Sequence, residues 1–325
     1  LEIEPRSPVI HKELGNVFLS LNLKSKAIKH YKKSIEIKSD YAHPYNNIAA
    51  ILTDRGLINE AINFYLRAIK IDSSFSIANR NLSSLLLQLQ EPVGIKKSPT
   101  LKYNFDWDDY VEDARILING AINHYVIGSI KDCEAFLKKA SQITNPDLIS
   151  NWNEKENLFY GTYQDYLRAL VKNIPEQNIK DNSNYIYHIG ESHCLSFAHH
   201  YIRINNVNYK IIPRITLGAK AFHFAVSKNN RFKGITKLNL TSIPMNSTLF
   251  ISFGEIDCRI SEGFISAASK QKKPIERLIN DTVKGFINWF FDQNKNKNHK
   301  IFFINVPAPI YNKQFSTQLN KKAIQ

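Results

Sequence analysis

Hydrophobic and small residues in the first part of the chain repeat with a period of 34 residues. Residues 8–41 and 42–75 align without gaps, and a third unit begins at Ser76 and stops at Pro92. Six positions agree between the complete units: Leu14 with Ile48, Gly15 with Ala49, Phe18 with Leu52, Ala27 with Ala61, Tyr31 with Tyr65, and Ser34 with Ala68. Small residues stand where two helices must approach closely, and large ones where the next unit packs. The pattern predicts helical hairpins stacked into a short solenoid.

A polar linker separates these repeats from a second helical segment. The stretch "EPVGIKKSPT" (91–100) has the Pro, Gly and Ser content of a linker. Helical patterns follow it, and Cys133, Leu137 and Ala140 have the spacing of the repeats. A degenerate repeat over 114–147 is therefore favoured. The polar stretch "NIPEQNIKDNSN" marks the next boundary.

The pattern changes again from Tyr185. Short runs such as "YIYHIG", "YKIIPRI", "STLFISFG" and "KIFFINVP" alternate with helical stretches. Strands that alternate with helices are typical of βαβ units and a parallel sheet. The predicted fold class is α plus α/β. The predicted domains are a repeat array over 1–94, a helical connector over 95–183 and an α/β domain over 184–325.

Three of the predicted strands lead into a glycine and then into polar residues. The first ends in Gly-Glu-Ser-His (190–193), the second leads to Gly218, and the third ends in Gly-Glu-Ile-Asp-Cys-Arg (254–259). Functional residues of parallel sheets lie at the carboxyl ends of the strands. A helix predicted over 193–204 would place the Ser192 hydroxyl at a helix N-terminus, where backbone N–H groups can stabilise an oxyanion. Ser192 is therefore a candidate nucleophile, and a helix cap is the alternative interpretation.

Composition narrows the range of partners. The net charge of +14 suits a nucleic-acid partner, but the lysines are spread out and no basic motif interleaved with aromatic residues appears. We attribute the charge to a composition rich in Lys, Asn and Ile, and we predict no nucleic-acid partner. Cys133, Cys194 and Cys258 fit neither a disulfide framework nor a zinc ribbon, which indicates a reducing, cytoplasmic setting. No apolar run is long enough to span a membrane.

The 34-residue period resembles that of the tetratricopeptide repeat family. The six paired positions carry the resemblance. It implies a concave face that holds a peptide or another protein. A structural helical hairpin without a ligand is the alternative.

The three strand-end sequences resemble, in order, motifs of the SGNH (GDSL-type) hydrolases. The resemblance covers roughly residues 184–307 and implies a flavodoxin-like α/β sandwich that hydrolyses or transfers acyl groups, with acetylated glycans as the suggested substrate. Gly190, Glu191 and Ser192 match the family's Gly-Asp-Ser, with Glu in place of Asp. The resemblance implies that Ser192 attacks the acyl carbonyl and that the N–H groups of Ser192 and Gly218 hold the oxyanion.

The chain departs from that family at two places. Ile256 replaces the Asn that normally donates to the oxyanion, so that role is either empty or filled by Arg259 or His193. The Asp-x-x-His motif that supplies the general base is absent before Gln325, and His299 precedes a strand, at the wrong end of the sheet. Either the base lies beyond Gln325 in a longer protein or the site lacks one. Because a serine without a base is a poor nucleophile, we expect this chain to be nearly inactive.

Further candidate residues surround the strand ends. The candidate substrate ligands are Glu191, His193, His223, Glu255 and Asp257. Alternatively, Asp257 anchors its loop and Arg259 pairs with Asp257 or Glu191. A metal hydrolase using Glu191, His193, His223 and Asp257 lacks a spacing such as His-Glu-x-x-His, so no metal and no cofactor are predicted. The function from a different class is a non-catalytic scaffold whose sheet domain is a degenerate ligand-binding module.

Overall fold

The computed structural model describes residues 6–89, 113–143, 154–174, 184–259 and 263–304. The larger helices, in chain order, are α1 Pro8–Ser20, α2 Lys24–Ile37, α3 Ala42–Asp54, α4 Ile58–Ile71, α5 Ser76–Leu86, α6 Ala114–Ile127, α7 Ile130–Gln142 and α8 Glu154–Lys172. Those of the sheet domain are α9 Ala221–Ala225, α10 Arg231–Thr241, α11 Glu255–Cys258, α12 Phe264–Gln271 and α13 Ile275–Asn294. The strands are β1 Asn184–Gly190, β2 Tyr201–Ile204, β3 Val207–Ile215, β4 Thr248–Ser252 and β5 Lys300–Phe303. The linker over 91–100 lies outside the described residues.

The N-terminal repeats form helical hairpins, and the predicted small positions lie at the helix contacts. Ala27, Ala61 and Ala68 have no exposed surface. A Cβ on Gly15 would collide with the ring of Tyr31, so the helix α1 backbone rests directly on that ring. The small residues therefore let neighbouring helices approach, as the repeat pattern predicted.

The connector repeats the hairpin arrangement. Helices α6 and α7 pack against each other, and Cys133, Leu137 and Ala140 on α7 are buried. They share a core with Leu195 and Ile215 of the sheet domain. The connector is thus joined to the sheet by a continuous apolar core.

The sheet has five strands in the order β2-β3-β1-β4-β5. Strands β3, β1, β4 and β5 run parallel, and β2 pairs with β3 in the antiparallel direction. One face of the sheet packs its alternating apolar residues against α9, α10 and α13 around Phe224, Phe286 and Phe290. The predicted combination of a helical N-terminal part with a parallel α/β part is confirmed. The exact domain boundaries stay a prediction.

The helix predicted over 193–204 is wrong. A short 3₁₀ helix spans Ser192–Phe197, and the chain then forms β2 and a hairpin into β3. Asn205 and Asn206 in the turn have φ values of 48° and 64°. Asparagine tolerates this left-handed conformation, which suits a two-residue hairpin turn. The two asparagines were the sequence signal for the hairpin.

Two glycines hold the helical array against the sheet domain. Gly56, in the turn between α3 and α4, lies against Gly234 on α10, so that a Cβ on Gly234 would meet the Gly56 carbonyl oxygen at 2.5 Å. Nearby, Ile235 of α10 packs into the core of the repeat helices. The Asn239 side chain donates to the Gln88 carbonyl at 2.8 Å. The backbone contact sets how closely the two parts approach.

Within the described residues, none of the helices combines the length and apolar character that crossing a membrane requires.

The same substitution in two helices tests this contact. Gly234→Ala is expected to lower the free energy of unfolding by about 1–3 kcal/mol, because the new methyl group overpacks a backbone contact. Gly161→Ala on α8 is the matched control, since a Cβ there meets nothing within 4 Å. It should raise stability by about 0.5–1 kcal/mol through helix propensity. Urea unfolding of both variants checks this, and equal effects would show that the glycine contact does not constrain the fold.

Candidate functional site

The three polar strand-end sequences meet at one edge of the sheet. Strand β1 lies between β3 and β4, with Gly190 opposite Ile215 on one side and Ser252 on the other. The Thr216 backbone N–H donates to the Gly190 carbonyl at 2.8 Å. The segments that begin at Glu191, Thr216 and Phe253 therefore leave the sheet side by side, as the parallel pattern predicted. We call their polar side chains the strand-end cluster: Glu191, His193, Glu255, Asp257 and Arg259.

Glu191 is the most buried member of this cluster. Its side chain is 1% exposed, and neither carboxylate oxygen makes a hydrogen bond of normal geometry with the described residues. Burial and the nearby Glu255 carboxylate raise the pKa of Glu191 to about 8, and Asp257 adds to the rise. The Arg259 guanidinium and the Glu255 backbone N–H oppose it. His193 lies alongside, with Nδ1 at 3.8 Å from Glu191 Oε1.

Arg259 binds Glu255, a partner that the sequence did not indicate. Its Nη2 lies 2.7 Å from Glu255 Oε2, and its Nε donates to both carboxylate oxygens at 3.0 Å. The two residues are four apart across the short helix α11, which brings their side chains together. Arg259 was expected to pair with Asp257 or Glu191.

Asp257 anchors helix α9. Its carboxylate accepts from the backbone N–H groups of Ala221 at 2.6 Å and Phe222 at 3.2 Å. Burial raises the pKa of Asp257 to about 6, and these two N–H groups oppose the rise. The geometry agrees with the loop-anchoring interpretation, and its role in substrate binding stays a prediction.

Ser192 begins the 3₁₀ helix and is half-buried. Its side chain interacts with the Tyr163 phenol, and the Tyr166 hydroxyl donates to its carbonyl at 3.3 Å. Glu191, and not Ser192, occupies the position before the helix, so the helix-cap interpretation does not hold. Burial raises the pKa of Tyr163 further above its ordinary value, so the phenol stays protonated at neutral pH and cannot accept the proton of Ser192.

Gly218 and His299 lie where the strand pattern placed them. Gly218 follows β3 with φ of 69°, and a Cβ there would meet nothing within 4 Å, so backbone conformation and not close packing favours glycine. His299 directly precedes β5, at the amino end of the sheet and opposite the strand-end cluster. The predicted base beyond Gln325 lies outside the described residues.

His223 belongs to a second site, a cleft between the helical array and the sheet domain. The cleft has a volume of about 720 Å³. Its lining residues come from three turns: Asn22, Leu23, Lys24, Ser25 and Lys26; Asp54 and Arg55; and His223, Val226, Lys228, Asn229 and Asn230. The His223 ring stacks on Phe232 with centroids 4.0 Å apart, and its Nδ1 accepts from the Lys220 N–H at 2.9 Å.

The cleft is electropositive. Four of its lining residues are Lys or Arg, and Asp54 is the one acidic residue among them. Lys24 pairs with Asp54 at 2.9 Å, and Arg55 donates to Ser25 Oγ at 3.0 Å. The lining therefore carries three positive charges in excess of its negative charge. We call this site the basic cleft.

Comparison with known families gives one match in the helical array. Residues 27–98 match the family described as Est1 DNA/RNA binding domain. The match covers less than a quarter of the chain, so it is a similarity of that segment. No curated protein matches the chain.

This finding overturns several sequence-based predictions. The matched family is not the tetratricopeptide family, and the α/β domain has no hydrolase family match. The proposed acyl-ester enzyme, its acylated carbohydrate substrate, and the alternative scaffold with a peptide on the repeats are therefore not supported. The prediction of no nucleic-acid partner is also contradicted, because the matched family is described as DNA/RNA binding. The helical repeat itself stands, since the period predicted the hairpins correctly.

Sequence reasoning missed the basic cleft because its walls are far apart in the chain. Lys26, Arg55 and Lys228 look like scattered surface residues until the glycine contact brings the turns together. The net charge of +14 is the sequence signal for such a site, but a composition rich in Lys, Asn and Ile accounts for the same charge.

Lowering the pH should reduce the free energy of unfolding through His223, a residue that lines the basic cleft. Burial lowers the pKa of His223 to about 4, whereas an unfolded histidine titrates near 6.5. As the pH falls, the histidine of the unfolded chain becomes protonated before that of the folded chain. The contribution of neutral His223 to the free energy of unfolding is therefore fully present above pH 6.5 and is lost as the pH falls toward 4. We expect about 1–2 kcal/mol after allowance for solvent screening, measured as the difference in unfolding free energy between the parent and His223→Gln across this range. Parallel pH profiles for the two proteins would contradict the assignment.

Proposed function

We propose that the protein binds DNA or RNA by holding its phosphate backbone in the basic cleft and along the adjoining face of helix α2. The observation that carries the proposal is the excess of three positive charges in a cleft between two closely packed parts of the chain. The described family of the matched segment supports the same function. The segment includes Asp54 and Arg55, on one wall of the cleft.

The cationic side chains of the cleft suit phosphate. Arg55 keeps further N–H donors beyond the one that Ser25 accepts, and a guanidinium can donate two parallel hydrogen bonds to a phosphate. Lys26 and Lys228 are exposed and supply mobile point charges. Lys24 is partly neutralised by Asp54, so it contributes less. Asn22 and Asn229 add amide groups of the kind that contact phosphates and sugars.

A row of lysines leads out of the cleft along α2. Lys26, Lys29 and Lys33 are all exposed and lie on the helix face opposite the buried Ala27 and Tyr31. At 1.5 Å per residue, the row extends about 10 Å. This length lets a nucleic-acid strand continue from the cleft over the array. Lys33 also lies 3.6 Å from Glu36, an exposed ion pair that holds it weakly.

The proposed contacts are to the backbone and not to bases. Lysine and arginine side chains that neutralise phosphates release counterions, so such binding depends steeply on salt and little on sequence. Binding of this kind serves to position a nucleic acid on the protein. The strand-end cluster plays no part in this proposal.

The experiment is fluorescence anisotropy with labelled single-stranded DNA and RNA oligonucleotides of mixed sequence, over a series of salt concentrations. The test variant is the triple change Lys26→Gln, Arg55→Gln and Lys228→Gln. It should weaken binding at least about ten-fold at low salt. It should also reduce the slope of log affinity against log salt by about 2, because three phosphate contacts are lost at roughly 0.7 each.

The control is Lys138→Gln, Lys237→Gln and Lys284→Gln, three exposed lysines outside the cleft. It removes the same net charge and should retain most of the affinity and slope. Equal losses in the two triple variants would mean that general positive charge, and not the cleft, attracts the nucleic acid. Absence of binding by the parent protein would overturn the proposal altogether.

A further inference from the structure

We infer that the strand-end cluster is a binding site for a divalent transition-metal ion, with Glu191, His193 and Glu255 as its protein ligands. One ligand atom from each side chain lies within 4.8 Å of the other two. A carboxylate, an imidazole and a second carboxylate are a donor set that suits Mn²⁺ or Zn²⁺. The inference is independent of nucleic-acid binding, since none of these residues lines the basic cleft.

The strongest support comes from the buried carboxylate oxygens of Glu191, which lack well-formed hydrogen bonds. Its carboxylate is 1% exposed, yet both oxygens lack a hydrogen-bond partner of normal geometry in the described part of the chain. A buried carboxylate is costly to ionise when its oxygens lack well-formed hydrogen bonds, and buried charges in proteins are usually paired or bound to metal. One of these oxygens lies within 4.8 Å of a ligand atom of His193 and of a ligand atom of Glu255.

The His193 ring also has a buried nitrogen atom that makes no hydrogen bond with the described residues. Its Nδ1 is buried and has no hydrogen-bond partner among the described residues, and it lies 3.8 Å from Glu191 Oε1. That separation is too long for a hydrogen bond but close to the distance between two donors that share one metal ion, where each bond is about 2.0–2.2 Å. The ring is 37% exposed on its side chain, so the site is open to solvent on this side.

The charges of the cluster also fit a divalent cation. Glu191, Glu255 and Asp257 bring three carboxyl groups close together, and Arg259 and Lys220 place positive charge near them. A divalent cation among these groups would favour their ionised forms. The Asp257 oxygens accept hydrogen bonds from the Ala221 and Phe222 N–H groups. Asp257 is therefore not a ligand in this inference and only adds negative charge near the ion.

Arg259 leaves Glu255 able to act as a ligand. The guanidinium contacts both Glu255 oxygens from the solvent side, where its own side chain is 45% exposed. A carboxylate has about four acceptor positions, so Glu255 can hold the arginine and a metal ion together. In this arrangement Arg259 orients the ligand, as outer partners of metal ligands commonly do.

The backbone brings the three ligands together by a simple rule of parallel sheets. Glu191 follows β1 and Glu255 begins α11 just after the neighbouring strand β4, with Gly190 opposite Ser252 in the register. His193 is carried back over the site by the tight 3₁₀ turn. The three ligands are therefore irregularly spaced along the chain, so no known metal-binding sequence motif predicts the site.

The test uses the full chain, freed of metal and titrated with Co²⁺ and Mn²⁺. Co²⁺ reports its coordination through visible absorption, and thiolate ligation by the cysteines would add a distinct charge-transfer band. We expect one ion per chain without that band. Glu191→Gln keeps the side-chain shape, and His193→Ala removes a partly exposed ring, so at least one of these variants should fold. Each should weaken binding at least about 100-fold, because even outer partners of a metal ligand cost 10- to 100-fold.

The matched control is Asp132→Asn. Asp132 lies 3.9 Å from His124 in another histidine–carboxylate pair, but its side chain is 59% exposed. This variant should bind the ion as the parent does. Binding that survives both Glu191→Gln and His193→Ala, a stoichiometry reduced by Asp132→Asn, a thiolate band, or no binding by the parent would each overturn the inference. Loss of metal binding would leave oligonucleotide binding unchanged, which separates this test from that of the proposed function.

Discussion

The backbone contact between Gly56 and Gly234 is the constraint on which the arrangement of the molecule depends. A turn of the helical array and a helix of the sheet domain approach so closely that neither glycine has room for a side chain. Ile235 and the Asn239–Gln88 hydrogen bond follow from that approach, because they reach across the same boundary. Without this contact, the three turns that form the basic cleft would not face one another.

The two candidate sites show different ways in which a fold concentrates charge. The basic cleft gathers cations at the surface from distant parts of the sequence, where water keeps the cost of bringing them together low. The strand-end cluster gathers carboxylates at the end of a parallel sheet, where burial raises that cost and moves the pKa of Glu191 and Asp257 upward. The first arrangement favours a long anionic polymer, and the second favours a small cation.

Local patterns predicted local structure well. The 34-residue period located the hairpins, and the glycines at 190, 218 and 254 located the ends of three strands. The failures came from interactions between segments. The 3₁₀ helix at Ser192 and the β2–β3 hairpin replaced a helix because the Asn-Asn turn and pairing with β3 outweighed an ambiguous apolar pattern. The burial of Glu191 next to Glu255 depends on β4 lying beside β1, which composition and spacing do not reveal.

The basic cleft has a thermodynamic consequence through its two walls. Lys26 and Arg55 belong to the helical array, whereas Lys228 belongs to the sheet domain. A ligand that touches both walls acts as a clamp, so its binding energy adds to the energy that docks the two parts together. The coupling is reciprocal: a second ligand that binds only the docked arrangement would raise the affinity for the first by the same factor as the first raises the affinity for the second.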